Sequence, residues 1–325
     1  MKRSIILMMA ALLLLGTLAW SQGVTTAAIS GTVYSKIDNK VEALPGVLVT
    51  AIHIPTGTTF KAISREDGKF LMPSVKVGGP YVVSAVLDGF KTEKLDNVVL
   101  KLGEDKNLTF TVTLATITES IVVTASNPII NPYRTGASQN VSQELIESMP
   151  TISRSLSDFT RMAPQVMSSD ETDGAFAAGG RNNRYNNIQI DGAQNNDLFG
   201  LGATGTPGGQ SEASVISLDA VQEFQVVIAP YDVRQGMFTG GGVNIITKSG
   251  RNKLFGSAFF EGRNEDLVGK GPDDYKFSKF TDGVLGGSLG GAIVKDKLFF
   301  FVNGELDNRK TPEDYFIDGS GSNYD

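Results

Sequence analysis

The chain has 325 residues, with 29 Lys and Arg against 35 Asp and Glu, a net charge of −6, no cysteine and a single histidine, His53. The missing cysteines exclude disulfides and thiolate chemistry, and one histidine excludes most imidazole catalysis and most zinc sites. An acidic chain is a poor general nucleic-acid binder, while 37 glycines among short β-branched runs point to a β-rich protein with many turns.

Residues 1–21 read as a signal peptide. Lys2 and Arg3 form a basic region, Ile5 to Leu15 an apolar core, and Ala19-Trp20-Ser21 a small-x-small cleavage site before Gln22. The alternative is a membrane anchor helix, but a full span takes roughly 20 apolar residues, and polar sequence follows here at once. No later segment is long and apolar enough for a transmembrane helix. An exported chain of this kind is periplasmic, extracellular or an outer-membrane β-barrel.

Residues 22–115 carry seven strand-like runs: Ile29 to Tyr34, Val47 to Ile54, Thr58 to Ser64, Lys69 to Met72, Tyr81 to Leu87, Val98 to Lys101 and Leu108 to Leu114. Turn signals separate them, among them Leu44-Pro45-Gly46, Pro55-Thr56-Gly57, Asp67-Gly68 and Asp88-Gly89. That spacing predicts a β-sandwich. Asp67-Gly68 reads as a tight hairpin rather than a metal loop, and His53 as a strand residue rather than a ligand. The wording SGTV, LPGVLVTA, SREDGKF and YVVSAVLDGFK resembles the carboxypeptidase regulatory-like domain. That resemblance implies an Ig- or transthyretin-like sandwich with a carbohydrate-binding-like fold.

Residues 116–140 read as a linker. Glu119, Ser120, Ile121, Val122, Val123, Thr124 and Ala125 form an extended β-branched stretch, and Asn127-Pro128 and Asn131-Pro132 oppose a helix. The plain reading is an interdomain strand. The stretch also resembles a TonB box, the short segment that TonB-dependent receptors offer to their energy-transducing partner. The chemistry suits that role, since an unpaired strand can add to the edge of a partner's sheet.

Residues 141–248 read as an α+β domain. Ser142-Gln143-Glu144-Leu145-Ile146 opens a short helix, and Ser153 to Arg161 looks like a second. An Asn-rich stretch with Gly180-Arg181 leads to a strand, Ile188 to Ile190, ended by Asp191-Gly192. Then Val221 to Ala229 is β-rich, Gly240, Gly241 and Gly242 form a hinge expected to turn the backbone, and Val243 to Thr247 is a second strand closed by Lys248-Ser249-Gly250. The stretch from Ser214 to Gly250 resembles the end of the plug domain of TonB-dependent outer-membrane receptors, in the wording of the Oar-like, OmpA-related branch. On that resemblance Arg181, Asp191, Gly192, Gly240, Gly241, Gly242, Asn244, Thr247 and Lys248 are the plug's structural motif, and the Asn-rich residues 182–196 are expected to face the ligand. The order Gly-Arg at 180–181 departs from the family's usual Arg-Gly.

Residues 249–325 change character. From Lys297 to Asp307, Leu298, Phe300, Val302, Gly304 and Leu306 lie on one face, and Lys297, Phe299, Phe301, Asn303, Glu305 and Asp307 on the other. This is the dyad pattern of a membrane β-strand. Leu254 to Gly262 and Val284 to Ile293 follow it more weakly, with a long polar loop, Arg263 to Asp282, and a short turn, Val294-Lys295-Asp296, between the strands. A closed bacterial barrel needs at least about eight strands, so the segment reads as the first strands of an incomplete transmembrane β-barrel. The family's barrels have about 22 strands and a plug. The chain as given is therefore expected to be an N-terminal fragment.

Gly200, Gly202 and Gly205 make a GxGxxG, but no strand precedes it and no helix follows, so it reads as a loop and not as a dinucleotide site. Asp170, Glu171 and Asp173, like Asp273-Asp274, lack calcium-loop spacing. No catalytic constellation, metal site or cofactor site emerges. The resemblance implies a mainly β receptor in the outer membrane of a Gram-negative cell, with its N-terminal domain in the periplasm. Its partners would be a TonB-type periplasmic protein, outer-membrane lipid and a ligand that is a siderophore, carbohydrate or peptide. The rival reading is a secreted carbohydrate-binding or adhesion protein built on the sandwich. Exposed aromatics in one row would favour that rival.

Overall fold

The computed structural model describes residues 24–37, 40–115, 137–149, 151, 154, 156–160, 162–168, 176–200, 202, 204–208, 215–228, 235–236, 238–270 and 278–310. The chain divides into two compact units, one ending at Lys248 and the other starting at Ser249. The leader segment and the candidate TonB box, Glu119 to Ala125, lie outside the described residues. Among the described residues, no helix is long and apolar enough to cross a membrane.

The first unit opens with a sandwich of two four-stranded sheets. One contains β1 (Thr26–Ile37), β2 (Lys40–Ala43), β5 (Lys69–Lys76) and β8 (Asp105–Thr113). The other runs β4-β3-β6-β7, from β3 (Leu48–His53), β4 (Thr59–Ile63), β6 (Gly78–Val86) and β7 (Glu93–Leu100). β1 pairs antiparallel with β5 along its first half and with β2 along its last residues, and parallel with β8. Side chains alternate along each strand, so Ile29, Val33, Val49, Val83, Leu108 and Phe110 meet between the sheets. Seven expected strands are present. The eighth, β2, escapes a pattern search because all four of its residues are exposed and show no alternation.

Phe70, Tyr81 and Phe110 are buried and Phe60 and Phe90 half-buried, so most of the sandwich aromatics fill its core. His53 is buried too. Its Nδ1 lies 2.7 Å from Thr56 Oγ1, and its ring centroid lies 4.8 Å from that of Tyr81. Burial, helped by the charge of Lys76, lowers its pKa to about 4, so the ring is a neutral core group. Asp67 Oδ1 accepts from the Lys69 N–H and Gly68 has φ 73°, which makes the expected hairpin turn.

The same unit continues into a five-stranded sheet ordered β13-β12-β15-β14-β9, built from β9 (Ala137–Ser142), β12 (Asn187–Ile190), β13 (Ala193–Gln194), β14 (Val221–Ile228) and β15 (Gly241–Thr247). Two short helices, α1 (Gln143–Ser148) and α2 (Leu156–Thr160), and a small hairpin of β10 (Val166–Ser168) and β11 (Phe176–Ala178) complete it. Phe224 and Val226 of β14 join Val141, Ile188, Val243 and Ile245 in one core, where Phe159 of α2 meets Phe224 edge-on at 6.1 Å. The alternate residues Glu223, Gln225 and Val227 are buried as well, so β14 is covered on both faces.

The second unit is an antiparallel meander of β16 (Phe255–Asn264), β17 (Thr281–Val294) and β18 (Leu298–Lys310). Phe260, Leu285 and Leu306 stand in one cross-strand row, and Leu289 pairs with Val302; all five are exposed. The opposite face carries Ser257, Ser288 and Asn303, then Arg263, Asp282 and Arg309. The expected long loop from Arg263 to Asp282 is shorter than the sequence suggests. β16 runs on to Asn264, the helix α3 (Glu265–Val268) follows, and β17 begins at Thr281. The paired Arg263 and Asp282 are 2.8 Å apart, and Asn264 caps α3 by accepting from the Leu267 N–H.

Candidate functional site

The residues singled out by their wording between 181 and 248 gather around the ends of β12 and β15. β12 turns into β13 through a two-residue loop in which Asp191 has φ 49° and Gly192 φ 83°. Such left-handed pairs suit the twist of a tight hairpin and explain the Asp-Gly dipeptide. The Asp191 N–H donates to the Ile245 carbonyl at 2.9 Å. Its carboxylate accepts from the Thr247 N–H at 3.0 Å and from the Thr247 hydroxyl at 2.7 Å. Two motifs far apart in sequence thus close on each other.

Gly240, Gly241 and Gly242 are needed for a different reason from the expected one. None has a positive φ, and the last two lie in β15. What they lack is room. A Cβ on Gly241 would lie 2.6 Å from Ala178 Cβ, and one on Gly240 would strike the Asn186 side-chain oxygen. Asn186 uses that oxygen to accept from the Gly241 N–H at 2.9 Å, while its amide nitrogen donates to the Phe176 carbonyl at 2.8 Å. The hinge is a close approach between strand and side chain, not a turn.

Lys248 follows β15 with its side chain only 9% exposed, 3.6 Å from the Asp219 carboxylate and 4.0 Å from Glu147. Its N–H donates to the Ala220 carbonyl. Asn244 is buried in a cross-strand row of amides, Gln189, Asn244, Gln225 and Asn140. Arg181 is exposed, and its N–H donates to the Ala178 carbonyl. The Asp191–Thr247 pair and the Asn186–Gly241 contact thus form a structural clasp, with Asn244 and Lys248 held beside it.

Asn182, Asn186, Asn187 and Asn196 of the Asn-rich stretch bond within the domain. Asn182 accepts from the Arg184 N–H, Asn187 donates to the Gly236 carbonyl, and Asn196 accepts from the Ile188 N–H while donating to Asn187. The exposed feature lies just beyond it, where Leu198 is 83% and Phe199 85% exposed. Their loop is braced by Asp197, which accepts from the Phe199 and Gly202 N–H groups, and by Arg184, which donates to the Gly200 carbonyl. Two large apolar residues inside a glycine-rich loop were the available signal for this tip. The GxGxxG glycines lie in that loop, with Gly200 and Gly205 at positive φ.

With this geometry in view, three family models match in order along the chain: the carboxypeptidase regulatory-like domain over residues 28–113, the TonB-dependent receptor plug domain over 133–243 and an outer membrane beta barrel domain over 246–317. These matches define the class as an outer-membrane protein with a TonB-dependent receptor plug domain ahead of an outer membrane beta barrel domain. Within that class it is similar to the TonB-dependent transporter Oar of Myxococcus xanthus, with 26% identity over 310 residues, covering 90% of this chain and 27% of that relative. The chain thus spans about a quarter of the length of the curated relative it matches. Among solved structures it resembles the siderophore receptor PirA from Acinetobacter baumannii (TM-score 0.43, 20% identity, 58% of this chain and 27% of that one). It also resembles the outer membrane transporter YddB from Escherichia coli (TM-score 0.39, 16% identity, 53% of this chain and 26% of that one). The relatives are receptors and transporters rather than enzymes.

Proposed function

We propose that this chain belongs to a receptor that takes up a ligand through a plugged β-barrel, driven by the inner-membrane TonB complex. The observation that carries this reading is the order of parts. A compact plug sheet closes at Lys248, and the chain passes directly into strands with one exposed apolar face and one polar face. Glu119 to Ala125 would be the segment offered to the periplasmic TonB domain by strand addition. The cargo class stays open among siderophore, carbohydrate and peptide, with the braced Leu198-Phe199 tip as a further ligand-contact candidate beside residues 182–196.

The test is a pull-down of the full receptor in detergent with the periplasmic TonB domain. Val122→Pro removes a ladder donor and fixes φ, so retention should fall several-fold. Equal retention of both proteins would overturn the TonB-box assignment.

A further inference from the structure

The turn between β7 and β8, residues 101–104, is where the sandwich meets the plug sheet. The Leu102 side chain is 1% exposed in the sandwich core, yet its peptide groups face the other domain. The Leu102 N–H donates to Glu223 Oε1 at 3.0 Å. Its carbonyl accepts from Gln225 Nε2 at 2.8 Å and from Asn140 Nδ2 at 3.0 Å. Asn140 Nδ2 also lies 2.8 Å from Glu223 Oε1, and its side-chain oxygen 3.3 Å from Gln225 Nε2. Asn140 belongs to β9, and Glu223 and Gln225 to β14. A single residue of the sandwich therefore bonds to both members of a strand pair in the plug.

The turn is stiff before it docks. Glu104 accepts from the Lys101 N–H at 3.0 Å and returns its own N–H to the Lys101 carbonyl at 3.0 Å, and the Gly103 N–H donates to the Thr26 carbonyl. Gly103 has φ 68°, and a Cβ there would lie 3.2 Å from Gln225 Nε2, so both its backbone and its lack of a side chain serve the contact. Ile246 of β15 packs against the sandwich core beside it. Glu223 is 5% exposed. Burial raises its pKa, opposed by the bonds from Asn140 and the Leu102 N–H and by the charge of Lys101, with Glu104 adding to the rise.

What this clamp holds matters because, among the described residues, β9 is an edge strand paired only to β14. Edge strands have one ladder to lose and open most readily. β9 also begins at Ala137, the end at which the chain enters from residues 116–136, whose other end follows Ala115 of the sandwich. We propose that the sandwich is a clamp on the plug: the Leu102 peptide staples β9 to β14 and sets the energy needed to draw β9 off the sheet from its linker end. Only the source of a pull on that end rests on the TonB reading above.

Hydrogen exchange of the full receptor in detergent, without TonB present, tests the clamp itself. Gly103→Val disturbs the turn from the sandwich side without altering the plug. It should speed exchange of the β9 amides about tenfold or more, the effect of losing bonds of ordinary strength, while β12 and β3 stay slow. Where the valine also loosens β3 and β6, Asn140→Ala with Gln225→Ala removes the two bonds to the Leu102 carbonyl from the plug side and should give a β9 response in the same direction. If β9 exchanges at the wild-type rate while the 101–104 turn is released, the clamp is wrong. Failure of the Val122→Pro pull-down would leave the clamp standing and remove only the proposed source of load.

Discussion

Asp191 accepts twice from Thr247 while holding a left-handed backbone beside Gly192. Asp191→Ala removes both acceptors and leaves an ordinary residue at positive φ, so it should destabilise the plug by about 2–4 kcal/mol. Asp191→Asn keeps one acceptor and tolerates that backbone region, and should cost less than half as much. Thermal unfolding of the full receptor in detergent checks the order, and an alanine variant that melts with the wild type would refute the clasp. His53 supplies a pH dependence. Its folded pKa, about 4, lies below the ordinary 6.5, so the unfolded chain takes up the proton first. The stabilisation is complete above about pH 6.5 and is lost as pH falls toward 4, amounting to about 3 kcal/mol at most. Glu93 and Glu223 are shifted upward, chiefly by burial, and so favour the fold in the opposite direction as pH falls. Comparing the sandwich's unfolding against pH in the wild type and in His53→Gln isolates the histidine. The variant should show a flatter slope between pH 6.5 and 4, and identical slopes would refute the assignment.

Among the elements, strands with one apolar and one polar face are legible because their side chains alternate. β18 reads directly from Leu298, Val302 and Leu306 against Phe301, Asn303 and Glu305, and β8 from Leu108, Phe110 and Val112. β2 was not legible, since Lys40 to Ala43 bury nothing. The polar stretch from Arg263 to Asp282 reads as loop because it carries no apolar period, yet Arg263 and Arg309 pair with Asp282 across strands and extend the sheet. The glycines of β17 show the same limit. At Gly290 a Cβ would lie 2.6 Å from the Phe255 ring, which stacks with Phe301 at 6.1 Å, and at Gly286 a Cβ would strike the Phe259 ring. Aromatics lying over glycines on neighbouring strands support an otherwise weak strand. Sequence shows the glycines as a weakening of the pattern and not as sockets. For the clasp, the sequence singles out Asp191, Thr247 and the glycine run, but their contacts depend on Asn186 and Ala178, which no local pattern links to them. The clamp depended on Leu102 and Gln225, residues brought together from different domains, and no local pattern links them.

At the scale of the whole molecule, the meander has a face for each of two solvents. Phe260, Leu285, Leu289, Val302 and Leu306 are exposed on one side, and Ser257, Ser288 and Asn303 line the other. Among the described residues the three strands have unpaired backbone at both edges, which lipid does not tolerate, so the apolar face is meaningful only within a closed barrel. The two faces then make opposite demands at adjacent positions of one strand. Leu289 and Ser288 are neighbours near the middle of β17. An arginine at Leu289 would meet hydrocarbon near the bilayer midplane, at about 2–4 kcal/mol, whereas an arginine at Ser288 would meet the polar interior. Folding of the full receptor into phospholipid vesicles, scored by protease protection, should therefore fall sharply for Leu289→Arg and little for Ser288→Arg. Equal losses would mean that the face carrying Leu289 is not the lipid face, and the reversed order would exchange the inside and outside of the barrel.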